Sequence, residues 1–543
     1  MKRINFNGWA LLSTLFILMI LMPIMDVMIH LFQEPNETWY HIKEFLLADY
    51  VKNTVLISGI TAVLTMIIGT SLAWLIAAYD FPLRKFFRWA LILPLAIPPY
   101  IAAYTYAGIL SYTGPVQVFF RNTLGLELSQ KYFDVMSVQG VIFIFTIFLL
   151  PYVYMVVRTY LEKQSSSLVE NARLLGKNGY EIFFKVVIPI SRGVIVAGVT
   201  LVILEVVSDY GVVSYFGIKT FSTAIFSAWF SMGDVDSAIR LAAILMLTVF
   251  VVMTAEKSFR GRRRYTSTSS KIRPIAKKKL KGILGMAASL YCGVILVLGF
   301  VIPTVQLLKW SMMSYEKILN KSFFILIYNS VWIALIAGVI AMIMAVIIAN
   351  YTRISESNLS KIYSKITLLG YSIPGAVVAI TVILFFVDLD NRLVWFYKLI
   401  DVNSPKLVLS MSIWMLVFAY VIRFLAVGYQ SVEGGFEKAG KKFYEASRLL
   451  GKSSTKTFFL VDLPMIKPTI LSGFALVFVD IVKELPLALI LRPFNFHTLA
   501  TKVFEYANNE MIIEAAVPSM IIIGVTLVAI FIINKALDRE VEA

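Results

Sequence analysis

The chain has 543 residues, 59% of them hydrophobic and only 15% charged, with a formal net charge of +17 at neutral pH. So large an apolar fraction leaves too little polar surface to solvate a globule, which excludes an ordinary soluble protein and points to a membrane protein. The one cysteine, Cys292, excludes an intrachain disulfide and a cysteine metal cluster, and its apolar setting reads as a small buried hydrophobe.

Lys2 and Arg3 precede a first apolar stretch, residues 9–31, too long for the core of a cleaved signal peptide and read as a retained span. Further runs of span length follow at 54–79, 88–110, 138–160, 192–216, 237–256, 283–307, 328–350, 366–387, 407–429, 468–491 and 513–534. The expectation is an all-α membrane protein with about 12 transmembrane helices. Prolines in "LPLAIPPY" (Leu93 to Tyr100) and "SIPG" (Ser372 to Gly375) predict that the third and ninth helices are kinked or broken. With the N-terminus in the cytoplasm, most Lys and Arg fall in cytoplasmic segments, with Arg240 and Lys483 inside spans, so both termini are expected to be cytoplasmic. The densest basic run, Glu256 to Lys281, reads as a cytoplasmic linker against anionic headgroups rather than a nucleic-acid site.

A second regularity is duplication. "ENARLLGK" (Glu170 to Lys177) returns as "YEASRLLGK" (Tyr444 to Lys452), and Phe183, Phe184 and Pro189 meet Phe458, Phe459 and Pro464, all at a shift of 275 residues (445 − 170). Asn53 and Pro98 meet Asn329 and Pro374 at 276, and Thr220, Thr223 and Phe226 meet Thr498, Thr501 and Phe504 at 278. A nearly constant offset implies two parallel halves, residues 1–256 and 282–543, joined by the linker 257–281.

Both cassettes fall between the fourth and fifth spans of their half, on the cytoplasmic side. Ser165 to Ser167 can start a helix, Glu170, Arg173, Leu174 and Lys177 recur at helical spacing, and Gly176 or Gly451 permits a turn or a close backbone approach. The prolines Pro189 and Pro464 are expected just before the next span. "ASRLLGKS" (Ala446 to Ser453) imitates a phosphate-binding loop, but Ala446 stands where its first glycine is required, and the first copy has Asn178 in place of the hydroxyl. Energy from ATP would therefore come from another subunit.

The cassettes resemble the EAA loop of ABC importer membrane subunits: Glu-Ala-Ala, three residues, Gly, nine residues, then Ile-x-Leu-Pro. The first copy has Glu170-Asn171-Ala172, Gly176 and Val186-Val187-Ile188-Pro189. The second has Glu445-Ala446-Ser447, Gly451 and Val461-Asp462-Leu463-Pro464. The resemblance implies two tandem six-helix type I importer permease halves, with EAA loops at about 165–190 and 437–465. It further implies a coupling helix in each loop, seated in a groove of two ATPase subunits that carry ATP and Mg, with no cofactor on this chain. Glu170, Ala172, Arg173, Leu174 and Gly176, and Glu445, Ser447, Arg448, Leu449 and Gly451, become the expected coupling residues. An extracytoplasmic binding protein would deliver the substrate, and the bacterial cytoplasmic (inner) membrane would be the location. "KELPLALILRPFNFHTLATKVFEYA" (Lys483 to Ala507) resembles the ferric iron class of double-length permeases. Relatives that move thiamine, phosphonates, polyamines or other anions share much of this architecture.

Charges in spans are costly unless paired or facing a cavity. Glu205, Asp209, Asp480, Lys483 and Glu484 are thus candidates for a pathway lining or for pairing that fixes the fold, and Arg240 belongs to the same group. Pro98, Pro374 and Pro486 are candidates for gate hinges, or simple kinks. His30, His41 and His497 are too few and scattered for a metal site, and there is no Ser/His/Asp set, paired acid catalyst or redox motif. Two rivals remain at this level: an ion-driven secondary transporter with Glu205, Asp209, Asp480 and Glu484 as relay carboxylates, and a membrane scaffold.

Overall fold

The computed structural model describes residues 8–31, 34–126, 129–163, 167–260, 277–355, 357–401, 406–410 and 412–542. Ser165, Ser166 and most of the expected linker, residues 261–276, lie outside the described residues. The backbone is almost wholly helical, as hydrocarbon requires of a chain that must bond its own N–H and C=O groups.

The helices used below in the first half are α1 (Gly8–His30), α2 (Leu47–Ala78), α3 (Arg84–Ala90), α4 (Pro99–Leu110), α5 (Val138–Lys163), α6 (Ser167–Leu174), α7 (Ile188–Ser208), α8 (Gly211–Tyr215) and α9 (Val235–Arg260). Those in the second half are α10 (Ile283–Leu296), α11 (Ile302–Ile318), α12 (Lys321–Ile354), α13 (Asn358–Ser372), α14 (Gly375–Ile400), α15 (Ile413–Ala439), α16 (Lys442–Leu449), α17 (Leu463–Val482), α18 (Pro486–Leu491) and α19 (Ile512–Glu542). Among the described residues 10 helices are long and apolar enough to cross a membrane, or 11 if the pair Arg84–Ala96 and Pro99–Leu124, bent by 89°, is one span. The ninth expected run is broken, as its proline predicts, and is not among those counted. Pro374 divides it between α13, only 15 residues long, and α14, whose charges Asp388, Asp390 and Arg392 interrupt its apolar run.

The fifth and eleventh spans also begin earlier than hydropathy suggests, at Gly179 and Ser454, and end at Ser208 and Val482. Pro189 and Pro464 therefore lie within these spans and not before them. Each follows a π-helical turn, Phe183–Val187 or Phe458–Asp462, and a third such turn, Val297–Val301, precedes Pro303. A proline has no N–H with which to continue the α register, and in each case the helix is widened by one residue just before it.

The first span of each half packs on the opposite half. α1 lies against α12, α13 and α14, with Thr14 Oγ1 and Tyr363 OH 2.7 Å apart and Trp9 Nε1 donating to Thr455 Oγ1 at 3.3 Å. α10 lies against α3, with Ser289 Oγ donating to the Pro82 carbonyl at 2.7 Å. The end of the expected linker is held in the same place. β1 (Tyr79–Asp80) pairs in parallel with β2 (Lys278–Lys279), and Leu280 N–H donates to Asp80 O at 2.8 Å.

Within the first half, α2, α5 and α7 pack together at Val153. A Cβ at Gly69 would lie 2.9 Å from Val153 Cβ, and one at Gly198 would lie 3.1 Å from Val153 Cα, so both glycines are needed for the crossing. Gly59, on the same helix as Gly69, has nothing within 4 Å of a Cβ. Gly69→Leu is expected to lower stability by about 2 kcal/mol, whereas Gly59→Leu is expected to be nearly neutral. Thermal denaturation of the two purified variants checks both.

Candidate functional site

Two places combine the residues singled out in the sequence: the duplicated cassettes, and a cavity between the halves.

The cassettes form α6 and α16, eight residues each. Both close with the same capping geometry. Lys177 N–H reaches back to Ala172 O (3.1 Å) and Gly176 N–H to Arg173 O (3.0 Å); Lys452 N–H reaches Ser447 O (3.2 Å) and Gly451 N–H reaches Arg448 O (3.0 Å). This pair of bonds needs a left-handed residue, and Gly176 and Gly451 have φ of +74° and +80° with open space at a Cβ. Of the two roles considered for these glycines, the turn is the one they fill. Ala172 and Ser447 are the buried anchors, and Ser447 Oγ lies 2.9 Å from Thr457 Oγ1. Glu170 and Glu445 are exposed, as is Arg448, while Arg173 is half-buried. Leu174 and Leu449 are 85% and 88% exposed, and so are their neighbours Leu175 and Leu450 at 79% and 81%. An exposed leucine pair, repeated at the same position in both copies, is an apolar surface beyond what solvation requires. The second leucine of each pair was not among the expected coupling residues, although it stands in the repeated cassette.

The cavity has a volume of about 120 Å³ and is lined by Pro98, Glu205, Asp209, Asp480, Lys483, Glu484 and Pro486, which brings together all but one of the expected pathway residues. Pro374 is not on its wall, but the next residue, Gly375, abuts it. A Cβ at Gly375 would lie 2.6 Å from Arg423 Nη1 and 3.0 Å from Glu484 Oε1. The wall is built from equivalent positions of the two halves: at the 275-residue shift Glu205 answers Asp480, Ser208 answers Lys483, Asp209 answers Glu484 and Gly211 answers Pro486.

The carboxylates have local tasks. α7 and α17 each stop and are followed at once by a short helix. Asp209 Oδ1 accepts the Val212 N–H at 2.8 Å, at the start of α8. Glu484 accepts the Leu487 N–H (3.0 and 3.1 Å) and the Ala488 N–H (3.3 Å) at the start of α18. Lys483 Nζ pairs with Asp480 Oδ1 at 2.8 Å. Pro98 and Pro374 have nearly the same extended conformation, ψ 139° and 144°, and each ends one helix segment and starts another. Arg240 stands apart from the cavity and pairs with Asp236 on its own helix at 2.9 Å.

Arg423 on α15 is not among the expected pathway residues, although it stands within the apolar run 407–429. Among the described residues no group of three or more His, Cys, Asp or Glu converges as a metal site. His497 sits in a loop, with Nδ1 3.3 Å from Glu505 Oε2, and burial together with the nearby Arg492 guanidinium lowers its pKa.

The family described as binding-protein-dependent transport system inner membrane component matches this chain twice, over residues 66–255 and 338–543. The chain belongs to this family. It is a multi-pass importer permease of the ABC type, a non-catalytic transport subunit, and its family implies ATPase subunits, a substrate-binding protein and the membrane as partners. The permease is similar to the Fe(3+)-transport system permease protein FbpB 2 of Haemophilus influenzae, 24% identical over 493 residues that cover 90% of each chain. The ferric transport system permease protein FbpB of Actinobacillus pleuropneumoniae is 21% identical over 87% of this chain and 69% of its own. The sulfate transport system permease protein CysW of Escherichia coli is 28% identical over 30% of this chain and 53% of its own.

Glu484 is 6% exposed, and Arg423 is the cation that stands beside it at Gly375. Arg423→Met is expected to destabilise the permease by about 3 kcal/mol, because it leaves a buried carboxylate without its cation. Glu484→Gln should recover part of that loss, and a double-mutant cycle by chemical denaturation should give a coupling of about 1 kcal/mol or more.

Proposed function

We propose that the permease is the fused membrane subunit of a type I ABC importer for ferric iron, working by alternating access between its two halves. The observation that carries the coupling role is the matched pair of exposed leucine surfaces on α6 and α16, each closed by the same glycine turn. Glu170 and Glu445 supply polar contacts to two ATPase subunits, and Leu174 and Leu449 supply the apolar seat.

Chain continuity supports twelve crossings and two cytoplasmic cassettes. α2 ends at Tyr79, whose hydroxyl would lie 2.7 Å from a Cβ at Gly179 beside the first cassette, and α5 runs into that cassette. The chain from α3 through the bent pair must therefore cross before α5 returns. In the second half Arg353, at the end of α12, pairs with Asp462 near the other cassette at 2.6 Å. The same reasoning makes α13 and α14 one broken crossing. An even number of crossings between the cassettes supports a common side of the membrane for both.

Iron is favoured over sulfate by the relatives that span nearly the whole chain, and by the cavity. Four carboxylates, Glu205, Asp209, Asp480 and Glu484, face two bases, Arg423 and Lys483. A wall with excess negative charge attracts a cation and repels an anion.

Reconstitution with the ATPase and the binding protein tests this reading. Uptake should require ATP, follow ferric iron and not sulfate, and persist when ion gradients are collapsed. The quadruple variant Leu174→Asp, Leu175→Asp, Leu449→Asp, Leu450→Asp should insert normally but bind the ATPase about 30-fold more weakly. Unchanged ATPase association would rule out the cassettes as the coupling surface, and uptake of sulfate instead of iron would reassign the cargo.

A further inference from the structure

At the cassette end, the first half has its helices bound together by arginines. Arg84 Nε donates to Ile76 O at 2.8 Å, Arg88 grips Glu162 through Nε and Nη2 at 3.0 and 3.1 Å, and Arg158 Nη1 donates to Arg88 O. β2 lies against the same corner. At the shifts that relate the halves, Arg84 and Arg88 become Ser360 and Ser364, and Arg158 becomes Glu433. The space those three side chains fill in one half is an open cleft in the other, of about 870 Å³, between α12, α13 and α15.

The second half has a basic residue of its own there. Arg353 stands where the first half has Ala77. Its side chain is only 9% exposed, held by Asp462 at 2.6 Å and by the Phe436 ring, whose centroid is 4.2 Å from the guanidinium carbon. Its Nη1 is buried with no hydrogen-bond partner. A buried guanidinium donor without an acceptor is costly, and an anion is the group that satisfies it. Lys361 and Lys365, one turn apart on the exposed rim of α13, extend the positive surface outward. Lys441, Glu433 and Glu437 also line the cleft, so among the described residues bases outnumber acids on its wall four to two. Glu433 is engaged by the Tyr429 hydroxyl at 3.1 Å.

We propose that this cleft is a binding site for a phosphate group, held between the unused Arg353 donor and the Lys361 and Lys365 ammonium groups. Clefts of this kind between membrane helices suit an anionic phospholipid headgroup, and free phosphate offers the same chemistry. The site is absent from the first half, whose own arginines occupy it. It does not depend on what the permease carries.

The full-length permease, purified in detergent and stripped of bound lipid, is titrated with short-chain phosphatidylglycerol, with inorganic phosphate and with dioctanoylglycerol, and occupancy is read by native mass spectrometry and calorimetry. Binding of phosphatidylglycerol well above dioctanoylglycerol supports the site with lipid as its source; equal binding by inorganic phosphate supports it with the free ion as its source. Lys361→Gln with Lys365→Gln, both at exposed positions, should weaken binding about tenfold. Ser360→Arg with Ser364→Arg, which restores the residues of the first half, should abolish it while the far-ultraviolet spectrum is unchanged. No binding of either phosphate probe, or binding that both variants retain at full strength, overturns the proposal. So does equal affinity for dioctanoylglycerol, which has no phosphate.

Discussion

A helix broken within a bilayer exposes N–H groups that no water is present to satisfy, and this constraint determines where the charges of the permease stand. α7 ends at Ser208 and α17 at Val482, each followed by a short helix whose first donors must find acceptors in the protein. Asp209 and Glu484 are those acceptors. Two of the four carboxylates that line the cavity are thus also the groups that allow the helices to break there. Charge between the halves follows from backbone hydrogen bonding, and a pathway wall made in this way is as rigid as the caps that hold it.

The same accounting explains the prolines. Pro98 and Pro374 interrupt a helix at equivalent points, and Pro189, Pro303 and Pro464 each follow a widened turn. Around these breaks the halves are interlocked, because α1 packs on the second half and α10 on the first. A relative movement of the halves must therefore carry α1 with the second half or break its contacts there. The contact of Trp9 with Thr455 and Phe458 ties α1 directly to the second cassette segment, so displacement of that segment is felt by a helix from the other half.

Much of this was legible in the sequence, for identifiable reasons. Duplication shows because equal element lengths preserve the offset, and the pathway charges show because Glu205, Asp209, Asp480, Lys483 and Glu484 are conspicuous in apolar surroundings. Arg423 obeys the same rule but is not among the expected pathway residues. Span boundaries were less legible. Glu181 and Lys185 depress the hydropathy of a helix that has already begun at Gly179, and hydropathy does not register a backbone that continues through Pro189. At the ninth run Pro374 signals the break, but hydropathy does not register that the segments on its two sides are separate helices, α13 and α14. The exchange of α1 and α10 has no local signal at all, because it depends on contacts between residues hundreds of positions apart.

The two halves match in their backbone devices and differ in their charges, and the fused chain accounts for that combination. In a symmetric dimer each substitution appears twice, so a base introduced on one side of an interface is necessarily introduced on the other. Here Arg423 and Lys483 stand opposite Phe148 and Ser208, and the cavity keeps two more acids than bases. Two copies of the second half would instead bring four bases to four acids and remove the excess negative charge. At the cassette end the asymmetry runs the other way, with Arg84, Arg88 and Arg158 in the first half opposite Ser360, Ser364 and Glu433 in the second. In the second half these divergent positions face the cavity or the cleft. The cassette glycines and the carboxylates that cap α8 and α18 are the same in kind on both sides, because the backbone geometry they satisfy is the same in both halves.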